Sequence, residues 1–160
     1  MADGPLLTEN AAAFRDTLPE GGVLLGLDLG TKTIGVATCD AGWSFATAGK
    51  TLPRGKFARD KAALEEIVAA RCVKGVVIGL PLNMDGSSGP RVQASRSFAR
   101  NLLALGLPVL LWDERWSTTT AERDMIAQDF SRSKRAQRID SHAAAVILQG
   151  AIDRLAGGVL

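Results

Sequence analysis

Cysteine and histidine are scarce in this chain of 160 residues, which has two of the first and one of the second. Cys39 and Cys72 form no Cys-x-x-Cys pair and have no paired histidines beside them, so neither a zinc site nor a disulfide framework is expected. Both read as small buried hydrophobes. Also missing is any apolar run near the ~20 residues that a membrane-spanning helix needs. The N-terminus, MADGPLLTENAAAFRDTLPEGG, lacks the charged n-region and long h-region of a signal peptide. A cytoplasmic protein without membrane contacts is the expectation. No internal repeat, linker or low-complexity stretch is visible, and neither sign of charge dominates, the formal net charge being +2.

What is present suffices for one domain with a proper core. The hydrophobic share of 46% and the charged share of 22% are ordinary for a globular chain. Residues 1–21 read as an N-terminal extension with a short helix over 10–18, ended by Pro19 and the Gly21-Gly22 pair. Val23–Leu29 and Thr33–Asp40 read as strands joined by a tight turn, and Trp43–Ala48 as a third. Phe57–Arg71 has helical spacing, with Leu64, Ile67 and Val68 on one face. Gly75–Leu80 and Pro108–Trp112 are short continuous apolar runs, as in strands buried on both faces. Between them Pro90–Leu105 is a helix, with Pro90 suited to its first turn and Gly106 to its end. Ser117 is a good N-cap for a helix to about Gln128, and Arg138 to about Leu155 forms the last, with Ala143, Val146, Ile147 and Ala151 on its apolar face. The order β-β-β-α-β-α-β-α-α predicts an α/β fold: a mixed five-stranded sheet, an antiparallel meander plus parallel strands, flanked by helices.

Asp28 interrupts an otherwise apolar strand in GLDLGTKTIGVA (26–37), and a buried carboxylate is costly without a partner. Asp113 and Glu114 directly follow the last strand, and Asp140 opens the last helix. Ligands of such sheets bind beyond the carboxyl ends of the parallel strands. If the first and last parallel strands lie close, these acids converge there. Converging carboxylates raise one another's pKa, and a divalent cation removes the conflict. Oxygen-only ligands favour Mg²⁺ or Mn²⁺ over zinc. Two such ions ~3.5–4 Å apart activate water and stabilise a leaving oxygen in phosphodiester cleavage. Each acid also has a plainer reading: Asp140 as a helix cap, Asp113 as a turn residue, Glu114 as a partner of Arg115. The stretch SRSKRAQR (131–138) carries Arg132, Lys134, Arg135 and Arg138 without an acid. It reads either as a solvated, mobile loop or as an arm that contacts phosphates.

Four segments, GLDLGTKTIGVA (26–37), VVIGLPLNMDGSSGP (76–90), VLLWDERWSTTTAE (109–122) and RIDSHAAAVILQ (138–149), occur in the order found in one family. The chain resembles the YqgF family, also called RuvX, whose members are assigned as Holliday junction resolvases and pre-16S rRNA nucleases with an RNase H-like fold. The likeness runs from Val23 to Leu155, so that residues 22–157 form the nuclease domain. It implies that Asp28, Glu114 and Asp140 are catalytic metal ligands for Mg²⁺ or Mn²⁺. It implies that Lys134, Arg135 and Arg138 contact the nucleic-acid backbone, and that the loop from Gly79 to Asn83 edges the site. Lys32 is either a solvent-facing turn lysine or another phosphate contact, and Arg115 would orient Glu114 by a charge-assisted hydrogen bond. His142 is read as structural rather than as a helper of metal or leaving group.

The implied function is a metal-dependent endonuclease processing the 5′ end of the 16S rRNA precursor, with structured RNA and ribosomal particles as partners. The alternatives are a resolvase of four-way DNA junctions, which needs two active sites and hence a dimer, and a non-catalytic nucleic-acid-binding module. Such a module would gain from losing its acids, since carboxylates repel phosphates. The first motif is also similar to the phosphate loop of the actin, Hsp70 and sugar-kinase ATPases. Those need a second such domain, for which 160 residues are too few.

Overall fold

A computed structural model describes residues 5–82, 85, 89–114 and 132–157, and over 132–140 the backbone alone. The strands are β1 (Leu7–Thr8), β2 (Leu24–Leu29), β3 (Thr33–Cys39), β4 (Ala46–Pro53), β5 (Gly75–Leu80) and β6 (Val109–Asp113). The helices are α1 (Ala11–Asp16), α2 (Phe57–Arg71), α3 (Pro90–Leu102) and α4 (Arg132–Ala156). One mixed sheet has the order β1-β6-β5-β2-β3-β4. β2 and β5, β5 and β6, and β6 and β1 pair in parallel, whereas β3 is antiparallel to both β2 and β4.

Alternation along the strands divides the core into two layers. On one face Leu24, Ala37, Val77 and Leu110 pack with Ala144, Ile147, Leu148 and Ile152 of α4, and Phe14 of α1 joins them. On the other, Leu25, Leu27, Val76, Ile78 and Leu111 pack with Leu64 of α2 and Phe98 and Leu102 of α3. No helix among the described residues is long and apolar enough to cross a membrane.

Several expectations need correction. Among the described residues the sheet has six strands rather than five, because β1 adds to the edge of β6 through the pairs Leu7–Val109 and Thr8–Leu110. Two residues are too few to show alternation in a sequence. The third meander strand begins at Ala46, not Trp43. Asp40 folds 40–45 into a loop, its carboxylate accepting from the N–H groups of Gly42 (3.1 Å), Ser44 (2.9 Å) and Phe45 (2.7 Å). These bonds, that of Phe45 foremost, hold the Asp40 carboxyl below the usual carboxylate range. Trp43 adopts a left-handed φ of 60° and buries its ring while Nε1 donates to the Gly22 carbonyl at 2.8 Å.

The last helix starts at Arg132, so the stretch expected to be a mobile loop up to Gln137 is helical from that residue. Lys, Arg, Ala and Gln are good helix formers and neither Pro nor Gly interrupts them. Its buried face includes Ala144 and Leu148, while Val146 is half-buried. Cys39 is buried, and desolvation pushes its thiol up. Cys72 is exposed, because it caps α2 in a left-handed conformation with φ 52°. The expected helix over 117–128 lies outside the described residues.

Candidate active site

α4 lies against the sheet where two glycines remove side chains from its path. A Cβ built on Gly26 would stand 2.7 Å from Leu148 Cβ and 3.1 Å from the Ala144 carbonyl oxygen. One on Gly79 would stand 2.7 Å from Ile147 Cδ1. Glycine within an apolar strand is the sequence signal of such an approach. Because Gly26 faces α4, Asp28 two residues on faces the same side. It is 4% exposed, at the carboxyl end of β2.

Glu114 reaches this face from the other side of β5. Leu110 and Trp112 of β6 belong to the α4 layer, and Glu114 continues their alternation just past the strand. Its Cγ and Cδ lie 3.1 Å from the position of a Gly79 Cβ. β5 is the strand between β2 and β6. β2 pairs with β5 as far as Leu27 with Ile78, and β5 pairs with β6 through Gly79 with Trp112 to Leu80 with Asp113. Asp28 and Glu114 thus flank Gly79 on one face at the carboxyl ends of parallel strands. Asp113, buried as the pair of Leu80, follows the alternation of Leu111 and belongs to the opposite face.

A cross-strand row locates the start of the described α4 side chains. Asp28 pairs with Gly35, and Gly35 with Thr51 of β4. Thr51 Oγ1 and Ser141 Oγ are 2.6 Å apart in a hydrogen bond. Farther back on β4, the Ala46 N–H donates to Gln149 Oε1 at 2.8 Å. α4 therefore runs opposite to β4, and so to β2, and its backbone at Asp140 comes to the carboxyl end of β2. The side chain of Asp140 lies outside the described residues, as do Arg115 and the side chains of Lys134, Arg135 and Arg138. Lys32 is exposed in the turn after β2, which the Gly30 N–H closes on the Thr33 carbonyl at 2.9 Å. His142 is half-buried on α4.

Among the described residues no trio of acids, histidines and cysteines is placed to hold a metal ion. The described part of the site is a pair of carboxylates at an edge left open by Gly79. Its donors are oxygens alone, a set that fits a hard divalent cation.

Gly79, expected at the edge of the site as the start of a loop to Asn83, stands instead inside β5, and Asn83 lies outside the described residues. Sequence reasoning missed two cations beside this pair. Arg54 Nη1 donates to the Gly30 carbonyl at 2.6 Å, and Arg91 Nη2 to the Leu29 carbonyl at 3.2 Å. Nothing in their local sequence points to a turn that lies 24 and 62 residues away.

Filling the Gly79 gap is a sensitive test of the pair. Gly79→Ala is expected to displace Glu114 and lower cleavage more than stability, since Ile147 Cδ1, the nearest atom, is the movable end of a side chain. Overpacking of this kind costs about 1–3 kcal/mol. Cleavage rate and thermal melting measured on the same sample check it. A rate that falls no further than the lost folded fraction would oppose it.

Residues 22–154 match the family RuvX, described as Holliday junction resolvase. A protein of Novosphingobium aromaticivorans named "Putative pre-16S rRNA nuclease" is 69% identical over 152 residues, covering 95% of this chain and 98% of that protein. One of Sphingopyxis alaskensis with the same name is 64% identical over 150 residues, covering 94% and 99%. Among solved structures, RuvC of Thermus thermophilus superposes with a TM-score of 0.55 at 15% identity, over 84% of this chain and 96% of that one. T. thermophilus RuvC in complex with a Holliday junction substrate gives 0.52 at 14%, over 81% and 93%. At such identities the likeness concerns the fold, which is RNase H-like.

Proposed function

Since the chain belongs to the RuvX family, we propose that it is a divalent-metal-dependent endonuclease that hydrolyses RNA phosphodiester bonds at the 5′ end of the 16S rRNA precursor. The observation that carries this reading is the carboxylate pair Asp28 and Glu114, flanking Gly79 on one face of the sheet. The names borne by relatives at 69% and 64% identity favour the rRNA precursor as substrate. The setting would be the cytoplasm, with the precursor presented on a ribosomal particle.

Asp28, Glu114 and Asp140 would hold Mg²⁺ or Mn²⁺, which when bound supplies Lewis acidity and offsets charge at the phosphate. Asp28 pairs with Gly35 on one side and follows directly on the Leu27–Ile78 pair on the other, so the backbone that carries its carboxylate is fixed before substrate arrives. The room left at Gly79 admits the Glu114 side chain, and Arg115 would orient its carboxylate. Lys134, Arg135 and Arg138 on α4 and Lys32 in the β2–β3 turn would hold the backbone of the strand. Water attacks phosphorus in line, the bond to the 3′-oxygen breaks, and a 5′-phosphate and a 3′-hydroxyl remain.

The test is cleavage of a precursor 16S 5′ fragment and of a four-way DNA junction, each with Mn²⁺, Mg²⁺ or EDTA. Metal-dependent cutting of the RNA is the expected result. The family's description favours a second reading, and symmetric cutting of the junction alone would establish it, implying a dimer. Binding without cleavage of either substrate, on the ribosomal particle as well, would leave a nucleic-acid-binding module.

A further inference from the structure

A second group of cations surrounds the turn that follows Asp28, on the side away from α4. Arg54 comes from the loop after β4, and Arg91 from the first turn of α3. They donate to consecutive carbonyls, those of Gly30 and Leu29. The position of Arg91 is not explained by helix stability, since a cation in the first turn faces the positive end of the helix dipole. Its bond to the turn explains it.

The Arg54 side chain is held on several sides. Its own N–H donates to the Lys32 carbonyl at 2.8 Å, and its guanidinium carbon lies 5.4 Å from the centre of the Phe98 ring. The loop behind it is tied by the buried Asp60, both of whose carboxylate oxygens are 3.1 Å from the Gly55 N–H. Ordering a guanidinium in advance lowers the entropy lost when it binds an anion.

A guanidinium has five N–H donors. Among the described residues neither Arg54 nor Arg91 makes an ion pair with an acid, and each places one side-chain bond, on a turn carbonyl. Arg54 is half-buried and Arg91 exposed, and the exposed Lys32 and Lys56 lie next to them along the turn and the loop. The result is a cationic rim directly beyond a pair of carboxylates. A polyanion drawn to the carboxylate edge needs such a rim, because the acids themselves repel it.

Resting on the nuclease reading, we propose that Arg54 and Arg91 form a phosphate-binding subsite beside Asp28. The substrate strand then crosses the carboxyl edge of the sheet from α4 to the β2–β3 turn, and these guanidiniums receive a phosphodiester next to the scissile one. They also position the turn, and a phosphate contact adds a readout that turn positioning does not move.

The experiment measures binding of a fluorescein-labelled single-stranded RNA from the precursor 5′ end, in EDTA, across a series of salt concentrations. Wild type, Arg54→Gln, Arg91→Gln and the double variant are compared with Lys74→Gln, a cation at the opposite end of β5. Each single variant is expected to weaken binding several-fold and to flatten the plot of log K against log salt by about 0.7 per lost phosphate contact. The double variant adds both effects, and Lys74→Gln binds like wild type. Variants with the wild-type salt slope and only a lower Tm would overturn the subsite and leave two fasteners of the turn. Mn²⁺-dependent cleavage by wild type, run in parallel, separates the two ideas. Cleavage with unchanged slopes in the variants defeats the subsite alone. Flattened slopes without any wild-type cleavage defeat the nuclease reading alone. A wild type that neither binds nor cuts defeats both.

Discussion

Asp28→Asn is expected to remove metal-dependent cleavage while the chain still folds. Asparagine keeps the size of the side chain and one carbonyl oxygen, so the strand pairs of β2 with β3 and β5 remain. What goes is a unit of negative charge from a buried position where the proposed site needs it to hold a cation. Lewis-acid stabilisation of a phosphoryl group is worth several kcal/mol, which corresponds to a loss of about 10²–10⁴-fold in rate. Single-turnover cleavage of the precursor fragment, with a thermal melt of the same preparation, checks both halves. Asp113→Asn serves as the contrast. That acid belongs to the other face of the sheet, so its replacement is expected to cost stability rather than chemistry. Wild-type rates from Asp28→Asn would remove this residue from the proposed catalytic set.

Phe14→Ala is expected to produce the opposite outcome, with a large loss of stability and little change in cleavage well below the melting temperature. The Phe14 ring is fully buried, and its Cζ lies 2.9 Å from the position of a Gly75 Cβ, in one cluster with Leu18 and Leu24. Beside it Arg15 Nη1 donates to the Leu155 carbonyl at 3.5 Å, linking α1 to the end of α4. Truncating a buried phenylalanine costs about 3–5 kcal/mol. For a chain of this length a kcal/mol is worth about 2–4 °C, so the expected fall in Tm is roughly 6–20 °C. Gly75 begins β5 and Gly79 stands near its other end, so the cavity opens far from Asp28 and Glu114. A Tm within a couple of degrees of wild type would show that α1 is dispensable to the core.

These two variants also mark where sequence reading worked and where it did not. α2 and β5 were readable to the residue, because the helical spacing of Leu64, Ile67 and Val68 and the unbroken GVVIGL run are local patterns with local causes. Asp28 stood out because a charge inside an apolar strand needs a physical reason. Residues 1–21 read as an appendage, yet Phe14 within them is part of the core and Leu7 pairs with Val109. The meaning of an isolated phenylalanine depends on what covers it, and here that is Gly75, 61 positions further along the chain.

The sequence by itself determined the kinds of element, most of their order, the family and the acids worth considering, since periodicity, turn residues and motif spacing are all carried by near neighbours. The tertiary structure alone decided how those pieces meet. It put Asp28 and Glu114 on one face and Asp113 on the other, which follows from the register of β5 against β6. It selected the buried face of α4 through Gly26 and Gly79, and it brought Arg54 and Arg91 to the carbonyls behind Asp28. The bulge between Gly35 and Ala37 belongs with these, as a shift in pairing between β3 and β4 that neither strand displays alone. In each case the deciding contact joins segments far apart in the chain, and its energy depends on the packing of the whole sheet.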